Sequence, residues 1–140
     1  MKYKYLFLLL FLTVLSVNIS AQEKRNQIKT SLIFPLAEMI QFSYERLIND
    51  EMSLNFEATL GEIVSLRPSF RFYMSEDKIA PNGTFIGPSL HFLDQNFGGC
   101  LMIGHQKLFK SKISLEAFGG PGVYSEGVSF WGGINVGIVF

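Results

Sequence analysis

Cysteine is almost missing from this chain: Cys100 stands alone among 140 residues. An internal disulfide is therefore impossible, and in an oxidising compartment the fold itself must supply the stability. Histidine is nearly as scarce, with only His91 and His105, which leaves little material for a catalytic triad or a metal centre. Basic and acidic side chains balance at twelve each, with no basic stripe of the kind that nucleic-acid binding calls for. Beyond Asn26 no helical period lasts longer than one turn, and there is no low-complexity tract, proline-rich linker or long repeat. These absences leave one domain, built from something other than helices.

The first residues read as a leader. Lys2 and Lys4 precede an apolar run from Tyr5 to Val17, followed by the small residues Ser20 and Ala21. A basic head, an apolar segment too short to span a bilayer comfortably and a small residue at the cut describe a cleaved secretory signal. An uncleaved anchor fits that length less well, and a lipoprotein would need a cysteine at the cut. Residues 1–21 are expected to be removed, leaving a domain of residues 22–140 that starts at Gln22. Loss of Lys2 and Lys4 leaves ten basic against twelve acidic side chains, a net charge of −2.

What the chain does have is alternation. A strand turns successive side chains to opposite faces, so period-two patterning is the mark of a β-strand with two unlike faces. Strands are predicted over Gln27–Phe34, Met39–Leu47, Met52–Leu60, Leu66–Tyr73, Thr84–Leu93, Phe97–Leu108, Ile113–Phe118 and Phe130–Phe140. The clearest sets Met52, Leu54, Phe56, Ala58 and Leu60 against Ser53, Asn55, Glu57 and Thr59. Short polar turns separate the strands, such as Asn49–Asp50 and Lys110–Lys112, with a longer glycine-rich connection over Gly119–Ser129. Pro68 cannot donate to a ladder, so a bulge or weakened pairing is expected there. The last strand carries Ile138, Val136, Ile134 and Phe130 on one face, and an apolar strand of that kind needs a partner on its edge. Pairing it with the Gln27–Phe34 strand closes a sheet of eight strands. The fold class is then all-β, an antiparallel up-and-down barrel.

The second face decides what the barrel lies in. It gathers Lys29, Glu45, Glu57, Arg67, Arg71 and Glu116 with small polar residues such as Ser31, Ser43, Asn55, Ser69 and Asn135. Three cations matched to three anions suit a cramped interior, where an unpaired buried charge costs several kcal/mol. The apolar face then points outward to lipid, with Tyr44, Phe72 and Phe140 near strand ends as an aromatic girdle. That is a transmembrane β-barrel in an outer membrane, facing lipid and most simply a monomer. The alternative is a soluble, lipocalin-like periplasmic barrel whose apolar face lines a ligand cavity.

Candidate chemistry is sparse. Ser89 and His91 share a face, and Glu57 or Glu116 could complete a hydrolytic set acting on membrane lipid. A hydrogen-bonded interior histidine is the simpler reading. Likewise the six interior charges read as an ion-paired plug before a channel, because eight strands enclose only enough room for side chains. The paired glycines at 98–99, 119–120 and 132–133 lack the strand, loop and helix context of a phosphate cradle and are expected to ease strand approach. No enzyme, cofactor or metal is expected.

Taken in order, the phrases FSYERLINDEMSL (Phe42–Leu54), LRPSFRFYM (Leu66–Met74), GTFIGPSLHF (Gly83–Phe92) and the run Gly104–Phe118 resemble small eight-stranded outer-membrane β-barrel proteins of Gram-negative bacteria, in an uncharacterised family. The resemblance implies an outer-membrane location and a non-enzymatic structural or envelope-interaction role. It also implies that Phe140, with Ile138 and Val136 before it, is the signal read by the barrel assembly machinery. The short links at the end away from the termini depart from longer-looped relatives with adhesin or receptor roles.

Overall fold

Residues patterned two by two cannot hide an apolar face in a helix, and here they form eight strands. The computed structural model describes residues 26–74, 81–94, 96–110 and 112–140. The strands are β1 (Asn26–Ser31), β2 (Ile40–Leu47), β3 (Met52–Leu60), β4 (Ser65–Tyr73), β5 (Gly83–Leu93), β6 (Asn96–Phe109), β7 (Ile113–Tyr124) and β8 (Gly127–Val139). Each pairs antiparallel with its neighbours in sequence, and β1 pairs with β8, so the sheet is a closed barrel. The expected leader, residues 1–21, lies outside the described residues.

Closure is staggered. From Gln27, successive cross-strand partners lead through Glu45, Asn55, Ser69, Ser89, Cys100 and Gly122 to Ser129, whereas the β8 residue facing Gln27 directly is Val139. The ladder thus returns displaced by ten residues. For eight strands such a stagger tilts each by roughly 40° from the barrel axis and keeps the bore narrow. The inward positions along that path, Gln27 to Cys100, are all buried.

Three boundaries differ from the sequence reading by more than one residue. β1 stops at Ser31, not Phe34, because the Ser31 hydroxyl accepts the N–H groups of Ile33 and Phe34 (both 3.2 Å) and Pro35 opens a 3₁₀ turn over Phe34–Ala37. Glu38 closes that turn in the left-handed region, at φ 54°. The second difference is larger: Gly119–Ser129 is not a loop. β7 continues to Tyr124 and β8 starts at Gly127, leaving Ser125–Glu126 as the whole turn. The glycines disguised these extensions by taking side chains out of the alternation, at Gly119 on the outward face and at Gly120 and Gly122 on the inward one. At Gly127 the backbone sits at φ 132°, which side chains with a Cβ rarely adopt.

At Pro68 there is a weakened ladder and no bulge. Register holds on both sides, with Phe56 opposite Pro68 and Ser69 opposite Ser89. Between Leu66 and Ser69, however, β4 pairs no residue with β5, and the same happens again beside Pro88. β6 and β7 skip two positions next to Pro121 in the same way. A glycine precedes each of the last two prolines. A Cβ on Gly87 would lie 1.7 Å from the Phe70 carbonyl oxygen, and one on Gly120 would lie 1.8 Å from that of Leu101. Only glycine lets the neighbouring backbones come so near where the proline has removed a hydrogen bond.

The two faces are sorted by polarity in the main, with aromatic rings such as Phe85 and Phe118 added inside and Arg46 and Lys107 outside. Lys29, Glu45, Glu57, Arg67, Arg71, His91 and Glu116 are buried, while Phe42, Ile103 and Ile138 on the other face are 54%, 53% and 63% exposed. The molecule is therefore polar inside and apolar outside. Among the described residues no helix is long and apolar enough to cross a membrane.

Candidate functional site: the polar interior of the barrel

The inward side chains form two storeys. In the storey nearer the termini, Lys29, Glu45, Arg71 and Glu116 meet across the bore. Lys29 Nζ lies 2.6 Å from Glu45 Oε2 and also bonds Glu116 Oε2. Arg71 Nη1 reaches Glu45 Oε2 at 3.0 Å and Glu116 Oε2 at 2.6 Å, and Arg71 Nη2 donates to Glu116 Oε1 at 3.2 Å. Two cations face two anions, so the cluster is neutral.

Its remaining valences are met by neighbours. Glu45 accepts from Gln27 Nε2 (2.8 Å), the Tyr73 hydroxyl (2.6 Å) and the Ser53 hydroxyl. Glu116 accepts from Asn135 Nδ2 at 3.2 Å, and Gln106 exchanges hydrogen bonds with Gln27 and accepts one from Lys29. The Arg71 guanidinium lies over the Phe85 ring, 4.4 Å from its centroid. Every strand thus supplies a side chain: Lys29 from β1, Glu45 from β2, Ser53 from β3, Arg71 from β4, Phe85 from β5, Gln106 from β6, Glu116 from β7 and Asn135 from β8. Such a knot ties all eight strands together and occupies the cross-section. Charged groups taken out of water are tolerated only when saturated in this way.

In the second storey, nearer the loops away from the termini, Arg67 pairs with Glu57 at 2.5 Å. Its guanidinium also lies 4.9 Å from the centroid of Phe118 and 5.5 Å from that of Trp131. His91 packs edge-on against Trp131, with centroids 4.6 Å apart, and its Nδ1 shares a 2.8 Å hydrogen bond with the Tyr124 hydroxyl. Cys100 Sγ lies 2.9 Å from that same hydroxyl. Above them Phe34 leans on Trp131 at 5.8 Å, so the 3₁₀ turn reaches over this end of the bore.

All six interior charges named from the sequence are inside, but as a group of four and a separate pair. Ser89 and His91 do not form the beginning of a triad. The Ser89 hydroxyl donates to the Cys100 carbonyl at 3.4 Å, His91 is engaged with Tyr124, Glu57 is engaged with Arg67, and Glu116 belongs to the other storey. Cys100 is a buried thiol beside a tyrosine. His105 faces outward, hydrogen-bonded to Thr84 at 3.0 Å. Among the described residues no three His, Cys, Asp or Glu side chains are grouped to hold a metal ion.

Four aromatic residues were not singled out by reading the sequence: Phe85, Phe118, Tyr124 and Trp131 fill the bore above and beside the charges. Parity was the available signal, since Phe118 and Tyr124 share a face with Glu116, and Trp131 shares one with Asn135. Glycines make room for these rings. Gly98 lies under Tyr124 and Gly133 under Phe118, where an added Cβ would come within 2.3 Å and 3.1 Å of the respective ring. Tyr124→Phe is expected to cost about 1–2 kcal/mol by stripping His91 Nδ1 and Cys100 of their shared partner, read as a lower denaturant midpoint with an unchanged circular-dichroism spectrum.

No protein-family model, curated protein or solved structure matches this chain, and what is established is its fold, a closed eight-stranded antiparallel barrel.

Proposed function

We propose that this chain is a non-enzymatic outer-membrane β-barrel protein with a structural or envelope-interaction role. One observation carries the reading: the outward face of the strands is predominantly apolar, with Arg46 and Lys107 as its charged residues, while the other charged strand residues point into the bore. In water an apolar surface of that extent would drive association. In lipid it is the natural exterior, and closure of the barrel satisfies the backbone hydrogen bonds that a bilayer core cannot. Outward Phe72, Phe109 and Phe140 toward one end and Phe92, Phe97 and Phe130 toward the other fit two interfacial girdles. The saturated cluster of Lys29, Glu45, Arg71 and Glu116 makes the interior a plug, with no open pore.

Within this proposal the partners are outer-membrane lipid along the belt and, during insertion, the barrel assembly machinery acting on Phe140, Ile138 and Val136. The barrel works as a monomer after secretion through the inner membrane and loss of its leader. A soluble ligand-binding barrel would want an apolar cavity, and the inward face carries lysine, arginine and glutamate instead. The test is gel migration of membrane fractions with and without boiling. An unboiled species that runs faster than the boiled one, recovered only with detergent, is the expected result. Recovery of the protein in the detergent-free periplasmic fraction would overturn the proposal.

A further inference from the structure

The two storeys differ in how fully their polar atoms are partnered. Among the described residues, Gln41 Nε2 and Oε1, Glu57 Oε2, Thr59 Oγ1, His91 Nε2 and Trp131 Nε1 are buried without a hydrogen-bond partner from the protein. All six belong to the storey around Arg67, at the end of the bore under the Phe34–Ala37 turn. Gln41 and Thr59 face each other across β2 and β3, and their side chains, like those of Glu57 and His91, are almost wholly buried. In the other storey the orphaned atoms are only Ser114 Oγ and Asn135 Oδ1.

The chemistry of the six atoms selects their occupant. Gln41 Nε2 and Trp131 Nε1 only donate, Gln41 Oε1 and Glu57 Oε2 only accept, the Thr59 hydroxyl does both, and His91 Nε2 does one or the other according to its tautomer. A bound cation would want acceptors alone, and a bound anion donors alone. The Glu57 charge is already matched by Arg67, so no net charge waits to be neutralised. A bore of eight strands is largely filled by its own side chains, which disfavours an extended ligand. The occupant must be small, neutral, and able both to donate and to accept.

We propose that this storey binds a cluster of water molecules bridging Gln41, Glu57, Thr59, His91 and Trp131, so that the barrel is a hydrated vestibule at its loop end and is sealed at the end of its termini. Buried water of this kind commonly makes about three hydrogen bonds to groups that would otherwise be unsatisfied. The proposal concerns the bore alone and holds whether lipid or water lies outside.

Trp131 is the only tryptophan in the chain, so its indole N–H gives an unambiguous nuclear magnetic resonance signal. With the full-length barrel folded in detergent micelles, the indole N–H and the Gln41 side-chain amide are expected to show direct Overhauser contacts at the water frequency, and the Arg71 guanidinium none. Absence of contacts at both Trp131 and Gln41 would overturn the proposal. A near-isosteric change gives an independent reading. In a hydrated storey Thr59→Val deprives the waters of a partner and lowers the thermal unfolding midpoint by a few degrees. In a dry one the same change removes an orphaned hydroxyl and raises the midpoint, and an upward shift would equally overturn the proposal.

Discussion

Arg71→Leu is expected to destabilise the barrel by about 3–5 kcal/mol, the range for breaking a buried ion pair from one side. Arg71 contributes three of the contacts that hold Glu45 and Glu116, and without it Lys29 is left between two buried carboxylates. The site then carries an uncompensated negative charge, and the leucine that replaces Arg71 beside Phe85 offers it no donor. A second substitution separates charge from lost packing. Arg71→Leu combined with Glu116→Gln restores neutrality, and the double variant should recover part of the loss, giving a coupling of about 1–3 kcal/mol between the positions. Urea unfolding of the refolded barrel, followed by the gel-shift of the unboiled form, measures both. An Arg71→Leu protein with an unchanged midpoint would mean that the cluster does not bear on stability.

Ile103→Arg carries the other large expected effect, and it depends on what lies outside the barrel. Ile103 faces outward midway along β6, at 53% exposure. If lipid surrounds it, a guanidinium there should cost about 2–4 kcal/mol, whereas arginine near a membrane interface costs only about 0–1 kcal/mol. Val128, beside the β7–β8 turn and 77% exposed, supplies the interfacial comparison. Unfolding in lipid vesicles should therefore separate Ile103→Arg from Val128→Arg by at least about 1 kcal/mol. On a barrel in water both are surface substitutions, expected to fall within about 0.5 kcal/mol of the parent. Equal midpoints for the two variants would count against the membrane proposal.

Reading the sequence went furthest where alternation was dense. β3 was legible to the residue, because Met52–Leu60 keeps polar and apolar side chains strictly apart, and the observed strand has those bounds. Closure through β1 and β8 was legible too, since an apolar final strand must find an edge. The method failed where one half of the alternation was missing. Along Gly119–Gly122 the glycines conceal the second half of β7, although they are there because strands approach closely and aromatic rings need their space. Pro68 was half legible: the missing N–H was evident, but whether the chain would bulge or simply skip its hydrogen bonds depended on how β5 could fit against it.

The sequence by itself determined the number of strands, their two faces and the balance of three cations against three anions on the inward one. These follow from the chemistry of each residue and its parity along the strand, which are local properties. Which charge meets which was decided only by the tertiary structure. The ten-residue stagger on closing the sheet brings Lys29, Glu45, Arg71 and Glu116 to one level and sends Glu57 and Arg67 to another. Partners drawn from β1, β2, β4 and β7 share no local signal, because their heights in the barrel are fixed by register summed around all eight strands. The same summation gathers Gln41, Thr59, His91 and Trp131 at the loop end of the bore, where polar atoms outnumber the partners that the protein provides.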